Sequence, residues 1–351
     1  MKLILFEDTE SQATSLLTAI RKWPAVEVLH FQGDVGGVSA TYEKKLQVAL
    51  QGNAYLHPDL IVADRDLSKT PGYGGLSEGT VRRVAETLGI PECSYARNNE
   101  VSLIGASEKR EANIVVSIAN GEDACARQLV SIASGFKCIR AKLDAMQHEP
   151  LIGGSVGKTL AAILDKPEYT DKIGLYASGD QHRLHLVLKS RGDDSDARIR
   201  NLTCFFGYWL WDSILRFPGL LVNPVAASSY LNIHVEEFGN LDVQDLFVSA
   251  IYEGPFADAM PDKHWWRGML DDILFDANAE DGRDYASVKL GRTLRASQCC
   301  EDSQMNAGYY CMLSHQPVSF ANSKGGLPWF PRGADLARVS NSQDEELGPW
   351  L

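Results

Sequence analysis

Two apolar runs dominate the first third of the chain. Leu3-Ile4-Leu5-Phe6 and Leu60-Ile61-Val62-Ala63 each hold apolar residues without a polar break, the pattern of strands buried on both faces of a parallel sheet. Around them the period changes. Residues 9–21 put Ala13, Leu16, Leu17 and Ile20 on one face at helical spacing, with Asp8 or Thr9 as the cap. Residues 26–31 read as a second strand closed by a glycine-rich turn at 33–37, and residues 39–50 as a helix. Past the second run, the pattern predicts a helix over 77–88, a strand over 91–95, a polar helix near 100–110, a strand over 114–116 and a long helix over 122–146. Such alternation predicts a doubly wound α/β domain with a parallel five-stranded sheet over residues 1–147.

The break at 149–154, rich in proline and glycine, marks the expected boundary of a second domain, 148–351. Its pattern is mainly α-helical, with helices expected over 156–164, 181–189, 197–217, 224–231, 243–252 and 263–275. A small β-containing part comes after them, with a strand at 309–313 and a turn-rich aromatic loop at 325–333. Trp265 and Trp266 fall within the last expected helix, where adjacent residues cannot share a face, so one of them is expected at a partner surface. The acidic tail at 344–346 reads as solvated and frayed.

Composition narrows the function classes. With 351 residues, 44% of them apolar and 23% charged, the chain is expected to be a globular protein of two or three domains. A net charge of −12 and the lack of a basic recognition helix argue against a nucleic-acid partner. No apolar run is long enough for a bilayer, and the start lacks the basic region of a signal peptide, so a cytoplasmic protein with no membrane partner is expected. Seven cysteines without a C-x-x-C pair read as reduced thiols. The stretch from Gly153 to Thr159 has three residues between its glycines where a phosphate-binding loop needs four, so it reads as the start of a helix.

The chemistry lies where the two apolar runs end. Glu7 and Asp8 come directly after the first, and Asp64 and Asp66 after the second. Parallel strands present such residues together at their carboxyl ends, where like charges repel unless a hard cation such as Mg2+ holds them. Glu7-Asp8, Asp64 with Leu67 three positions on, and the turn Gly89-Ile90-Pro91 resemble the receiver domain of bacterial response regulators over roughly residues 1–120. The resemblance implies a flavodoxin-like fold and a cytoplasmic two-component phosphoprotein. In it Asp64 would be the phosphoacceptor, Glu7, Asp8 and Asp64 the Mg2+ ligands, and the Asp66 carbonyl the last protein ligand. It implies a histidine kinase or phosphotransfer protein as donor, and output through an effector bound by the helical domain, through a homodimer, or as a phosphate sink. Its only chemistry would be self-phosphorylation and dephosphorylation. A receiver without a DNA-binding module is similar to those of phosphorelays, including ones proposed to serve phage (antiviral) defence.

Two positions depart from that family. Ala96 stands where receivers carry Thr or Ser, with Ser94 as the neighbouring candidate, and Ser117 stands near the usual Lys, with Lys109 earlier. A second resemblance uses the same acids. In the Toprim pattern Glu7, Asp64 and Asp66 would hold metal for phosphodiester cleavage, although that pattern places a glycine after its Glu and has no use for Asp8.

Overall fold

The computed structural model describes residues 1–32, 42–52, 55, 57–65, 67, 76–96, 114–146, 156–177 and 195–347. Its first part is a five-stranded, all-parallel sheet built from β1 (Lys2–Phe6), β2 (Glu27–His30), β3 (Leu60–Asp64), β4 (Glu92–Ala96) and β5 (Ile114–Ser117). The strand order is β2-β1-β3-β4-β5, the flavodoxin-like doubly wound order. Helices α1 (Glu10–Ile20), α2 (Tyr42–Gln51), α3 (Glu78–Leu88) and α4 (Glu122–Ala145) alternate with the strands.

The central strands β1 and β3 are apolar after Lys2 and before Asp64 because each feeds two cores. Leu3 and Leu5 of β1, Leu60 and Val62 of β3, and Cys93 and Tyr95 of β4 join the core that holds α1 and α4. Ile4, Phe6, Ile61 and Ala63 point to the opposite face and pack with Leu46 and Leu50 of α2 and Val81, Val84 and Ala85 of α3. This is the two-residue period of a strand, with both faces covered. Ser77 Oγ caps α3 by accepting from the Thr80 amide at 3.2 Å, and Gly89 ends that helix at φ 65°, a conformation suited to glycine. The helix expected near 100–110, with Lys109 in it, and the turn at 33–37 lie outside the described residues.

The first core does not stop at the expected boundary. It runs on through α5 (Val156–Ile163), α6 (Thr170–Ala177) and α7 (Ser195–Trp209) to Val339 near the C-terminus. Helix α4 is the wall between the halves. Its Phe136 packs edge-to-face on Tyr208 of α7 at 5.3 Å and on Phe256 at 5.0 Å. Gly207 lies where a Cβ would strike Phe136, and Gly135 where one would strike Phe256, so both glycines admit aromatic rings against backbone. Gly157, the last glycine of the phosphate-loop-like stretch, is spent in the same way: a Cβ there would lie 2.8 Å from the Thr170 carbonyl.

In the second half, the helix expected over 243–252 is α-helical only over Leu241–Asp245, with a 3-10 turn at Val248–Ala250, and three larger departures from the sequence pattern follow. The helix expected over 197–217 is α-helical to Trp209 and continues as a π-helical segment over Leu210–Leu215. The tryptophan pair is not helical. Trp265–Trp266 forms β7, antiparallel to β6 (Leu221–Val222), with α8 (Pro224–Tyr230), α9 (Val235–Phe238) and α10 (Leu241–Asp245) between them. Helix α11 starts only at Arg267 and runs to Asp276. Successive strand side chains point to opposite sides, so both indoles are buried. Trp265 packs on Phe238 at 5.2 Å and Trp266 stacks on Tyr169 at 5.3 Å, and neither is left for a partner. After α12 (Gly282–Leu290) comes a four-stranded sheet in the order β10-β11-β8-β9, from β8 (Tyr309–Cys311), β9 (Pro317–Val318), β10 (Ser323–Gly325) and β11 (Ala337–Ser340). The third departure is the acidic tail, which forms α13 (Asn341–Leu347), with Asp344 paired to Lys324. The helix expected at 181–189 lies outside the described residues, and no helix among the described residues is long and apolar enough to cross a membrane.

Candidate functional site

Strand register places the acids. β1 and β3 run parallel with Leu5 opposite Val62 and Phe6 opposite Ala63, so Glu7 emerges level with Asp64. β3 and β4 continue the ladder with Asp64 opposite Tyr95. Alternation then puts Glu7, Asp64 and Tyr95 on the same face of the sheet as Leu5, Val62 and Cys93. The result is a cluster of Glu7, Asp8 and Asp64 whose ligand oxygens lie within 4.8 Å of one another. Glu7 and Asp64 are only 1% and 3% exposed, and Asp8 is half-buried. It is the one group of three or more potential metal-ligating residues among the described residues. Asp66 lies outside them.

Glu7 is held firmly. The Thr9 amide donates to its Oε1 at 2.8 Å and the Tyr95 hydroxyl donates to its Oε2. His30 Nε2 donates to its backbone carbonyl at 2.8 Å. The Thr9 hydroxyl donates to Asp8 Oδ1 at 3.5 Å, and Thr9 is also the residue preceding α1. Burial, and then the nearby charge of Glu7, drive the Tyr95 phenol far above its ordinary range, so it remains a hydrogen-bond donor. The Tyr95 carbonyl accepts from the Arg65 amide at 3.2 Å, which extends the ladder one step past Asp64.

One rung further, Ala96 lies opposite Ser117. The Ser117 hydroxyl accepts from the Ala119 amide at 3.2 Å, a turn contact. Ser94, the neighbouring candidate on β4, points away from the acids and toward another buried group. Its hydroxyl donates to Glu78 Oε1 at 2.7 Å and to Glu92 Oε1 at 3.2 Å. Arg82 pairs with Glu78 and places Nε 3.8 Å from Glu92 Oε2. Glu92 is 2% exposed, and its carboxyl is pushed up to about 7 by burial, which the Arg82 charge offsets only in part.

Sequence reasoning brought Glu7, Asp8 and Asp64 forward and passed over Tyr95 and Glu92. Parity was the available signal for Tyr95: counted along β4 with Cys93, it faces the way Asp64 does. Glu92 gave no such signal, because its burial depends on Arg82 and on Tyr208, whose hydroxyl bonds the Glu92 backbone from α7 at 2.7 and 2.8 Å. All seven cysteines are free thiols. Compared with known protein families, with curated proteins and with solved structures, the chain shows no match.

Proposed function

We propose that the chain is a receiver-type phosphoryl acceptor in which Asp64 takes the phosphoryl group and Glu7, Asp8 and Asp64 hold Mg2+ beside it. The observation that carries this reading is the convergence of those three carboxylates, two of them buried, within 4.8 Å at the carboxyl edge of the parallel sheet. A donor set of hard oxygens suits Mg2+, which keeps further positions for water and phosphate oxygens. When bound, the ion supplies charge neutralisation for the transferring group. The protein supplies the rest. An Asp64 carboxylate oxygen forms the new bond to phosphorus as the bond from phosphorus to a donor imidazole breaks, and the imidazole takes up a proton. Glu7, fixed by Thr9 and Tyr95, keeps its place while the charge moves.

Once the phosphoryl group is in place, the chain departs from a receiver. The rung beyond Asp64 carries Ala96 and Ser117 in place of a sensing hydroxyl and a lysine. The reading is therefore of a phosphoryl acceptor or sink, fed by a histidine kinase or phosphotransfer protein, whose effect on an effector or a second copy does not use that relay. The test is incubation with acetyl phosphate and Mg2+, with intact-mass measurement of the product. A single phosphoryl increment that is labile to hydroxylamine and lost in Asp64→Asn is expected. No increment, or one that survives in Asp64→Asn, overturns the reading. The Toprim reading shares Glu7 and Asp64, but Asp8 within the same cluster favours the receiver reading.

A further inference from the structure

The turn-rich aromatic loop at 325–333 has no part in the acidic site, and it walls a cleft of its own. It leaves β10 and leads to β11. With Ala334, Asp335, Ala337 and Arg338 it encloses about 340 Å3, within the size range of small-molecule sites. Two kinds of contact hold the loop in place. Trp329 and Phe330 pack edge-on against Phe217 at 6.0 and 5.9 Å, and Gly333 lies where a Cβ would strike the Tyr176 ring. The Phe330 amide donates to the Leu327 carbonyl at 2.9 Å, and the Ala334 amide to the Pro331 carbonyl at 3.0 Å. A wall already fixed by packing lowers the ordering cost of binding.

The lining is apolar with a cationic side. Leu327, Pro328, Phe330 and Pro331 supply hydrocarbon, and Arg332 and Arg338 supply charge. Asp335, the one acid in the lining, is taken by Arg267 at 2.8 Å. Neither Arg332 nor Arg338 meets a carboxylate among the described residues, although the chain as a whole carries −12. Arg338 is also oriented. Its guanidinium lies 4.4 Å from the Phe320 ring centre and 4.9 Å from that of Tyr309, with Nε donating to Ser323 Oγ at 2.6 Å and Nη2 to the Ser323 carbonyl at 2.6 Å. Those bonds leave Nη1, which lies against Gly325: a Cβ there would come within 2.8 Å of it. A lining position without a side chain thus keeps this nitrogen in the wall of the cleft.

We propose that this cleft is a binding site for a small monocarboxylate with an apolar body, the carboxylate meeting Arg332 and Arg338 Nη1 and the body lying on Leu327, Pro328 and Phe330. A guanidinium matches a carboxylate in charge and in planar geometry. Asp335 in the same lining disfavours a dianion such as a phosphate monoester, and the hydrocarbon favours an organic acid over an inorganic ion. The site is separate from Glu7, Asp8 and Asp64 and needs no metal at the sheet edge.

The experiment follows para-fluorophenylacetate by fluorine NMR as the full chain is added, with para-fluorobenzyl alcohol and para-fluorophenyl phosphate as neutral and dianionic counterparts. Saturable line broadening is expected with the carboxylate, and binding about tenfold weaker with the other two. Arg332 is exposed, so Arg332→Met should leave the unfolding temperature unchanged while weakening carboxylate binding about tenfold, the loss of one charge-assisted hydrogen bond. Arg338→Met should weaken it as much. If that change disturbs the stack on Tyr309 and Phe320, Arg332→Met alone decides the question. No saturable binding of the carboxylate, equal binding of the alcohol or the phosphate, or binding unchanged in Arg332→Met overturns the inference.

Discussion

Glu7 and Glu92 are both buried acids on the same sheet, and what faces each one sets its behaviour. Glu7 accepts from an amide and a phenol hydroxyl. Glu92 receives one serine hydroxyl and a guanidinium nitrogen at 3.8 Å, too little to offset its burial, and its carboxyl is pushed up to about 7. An acid raised from 4.5 in the unfolded chain to about 7 in the folded one binds its proton more tightly when folded. The protein therefore loses stability as pH climbs between those values, and the loss is complete above them. Glu92→Gln removes the ionisation. In urea unfolding it should match wild type near pH 4.5 and exceed it at pH 8 by on the order of 2 kcal/mol. A gap that does not widen with pH would show that Arg82 compensates the Glu92 charge in full.

At the scale of elements, what could be read from the sequence was what local pattern encodes. The buried runs of β1 and β3 stand out because each strand feeds two cores, and their ends locate Glu7 and Asp64 because parallel strands align their carboxyl edges. The tryptophan pair departs from its local pattern for a complementary reason. The helical period of Arg267–Asp276 runs back into Trp265–Trp266, while the partner that makes those residues a strand is Leu221–Val222, far away in sequence. Trp266→Ala should cost about 3–5 kcal/mol by the usual range for such truncations, measured by chemical denaturation, because the indole stacks on Tyr169 and meets Tyr252 edge-on. A cost under about 1 kcal/mol would indicate an exposed, partner-facing residue instead. The seam between α4 and its neighbours gives another test. Gly135→Ala sets a methyl into the Phe256 ring, and overpacking of that kind costs about 1–3 kcal/mol. Phe256 itself sits at φ 69°, a left-handed conformation that a bulky residue adopts only when held there.

For the whole molecule, the sequence suggested two domains joined by a long helix, and packing makes that helix common to both halves. Leu129, Ile132, Phe136 and Ile139 of α4 belong to the one core that reaches from Leu3 to Val339. Because so much apolar surface is shared, thermal unfolding monitored by near- and far-ultraviolet circular dichroism should give one coincident transition. Two separated transitions would mean that the halves fold independently. The proposed function holds only if the acids at the carboxyl edge of the sheet bind metal. The most direct measurement is calorimetric titration of the full chain with Mg2+. One site per chain, lost in both Glu7→Gln and Asp64→Asn while their unfolding temperatures hold, is the expected result. No heat of binding, or binding that survives Asp64→Asn unchanged, would contradict it.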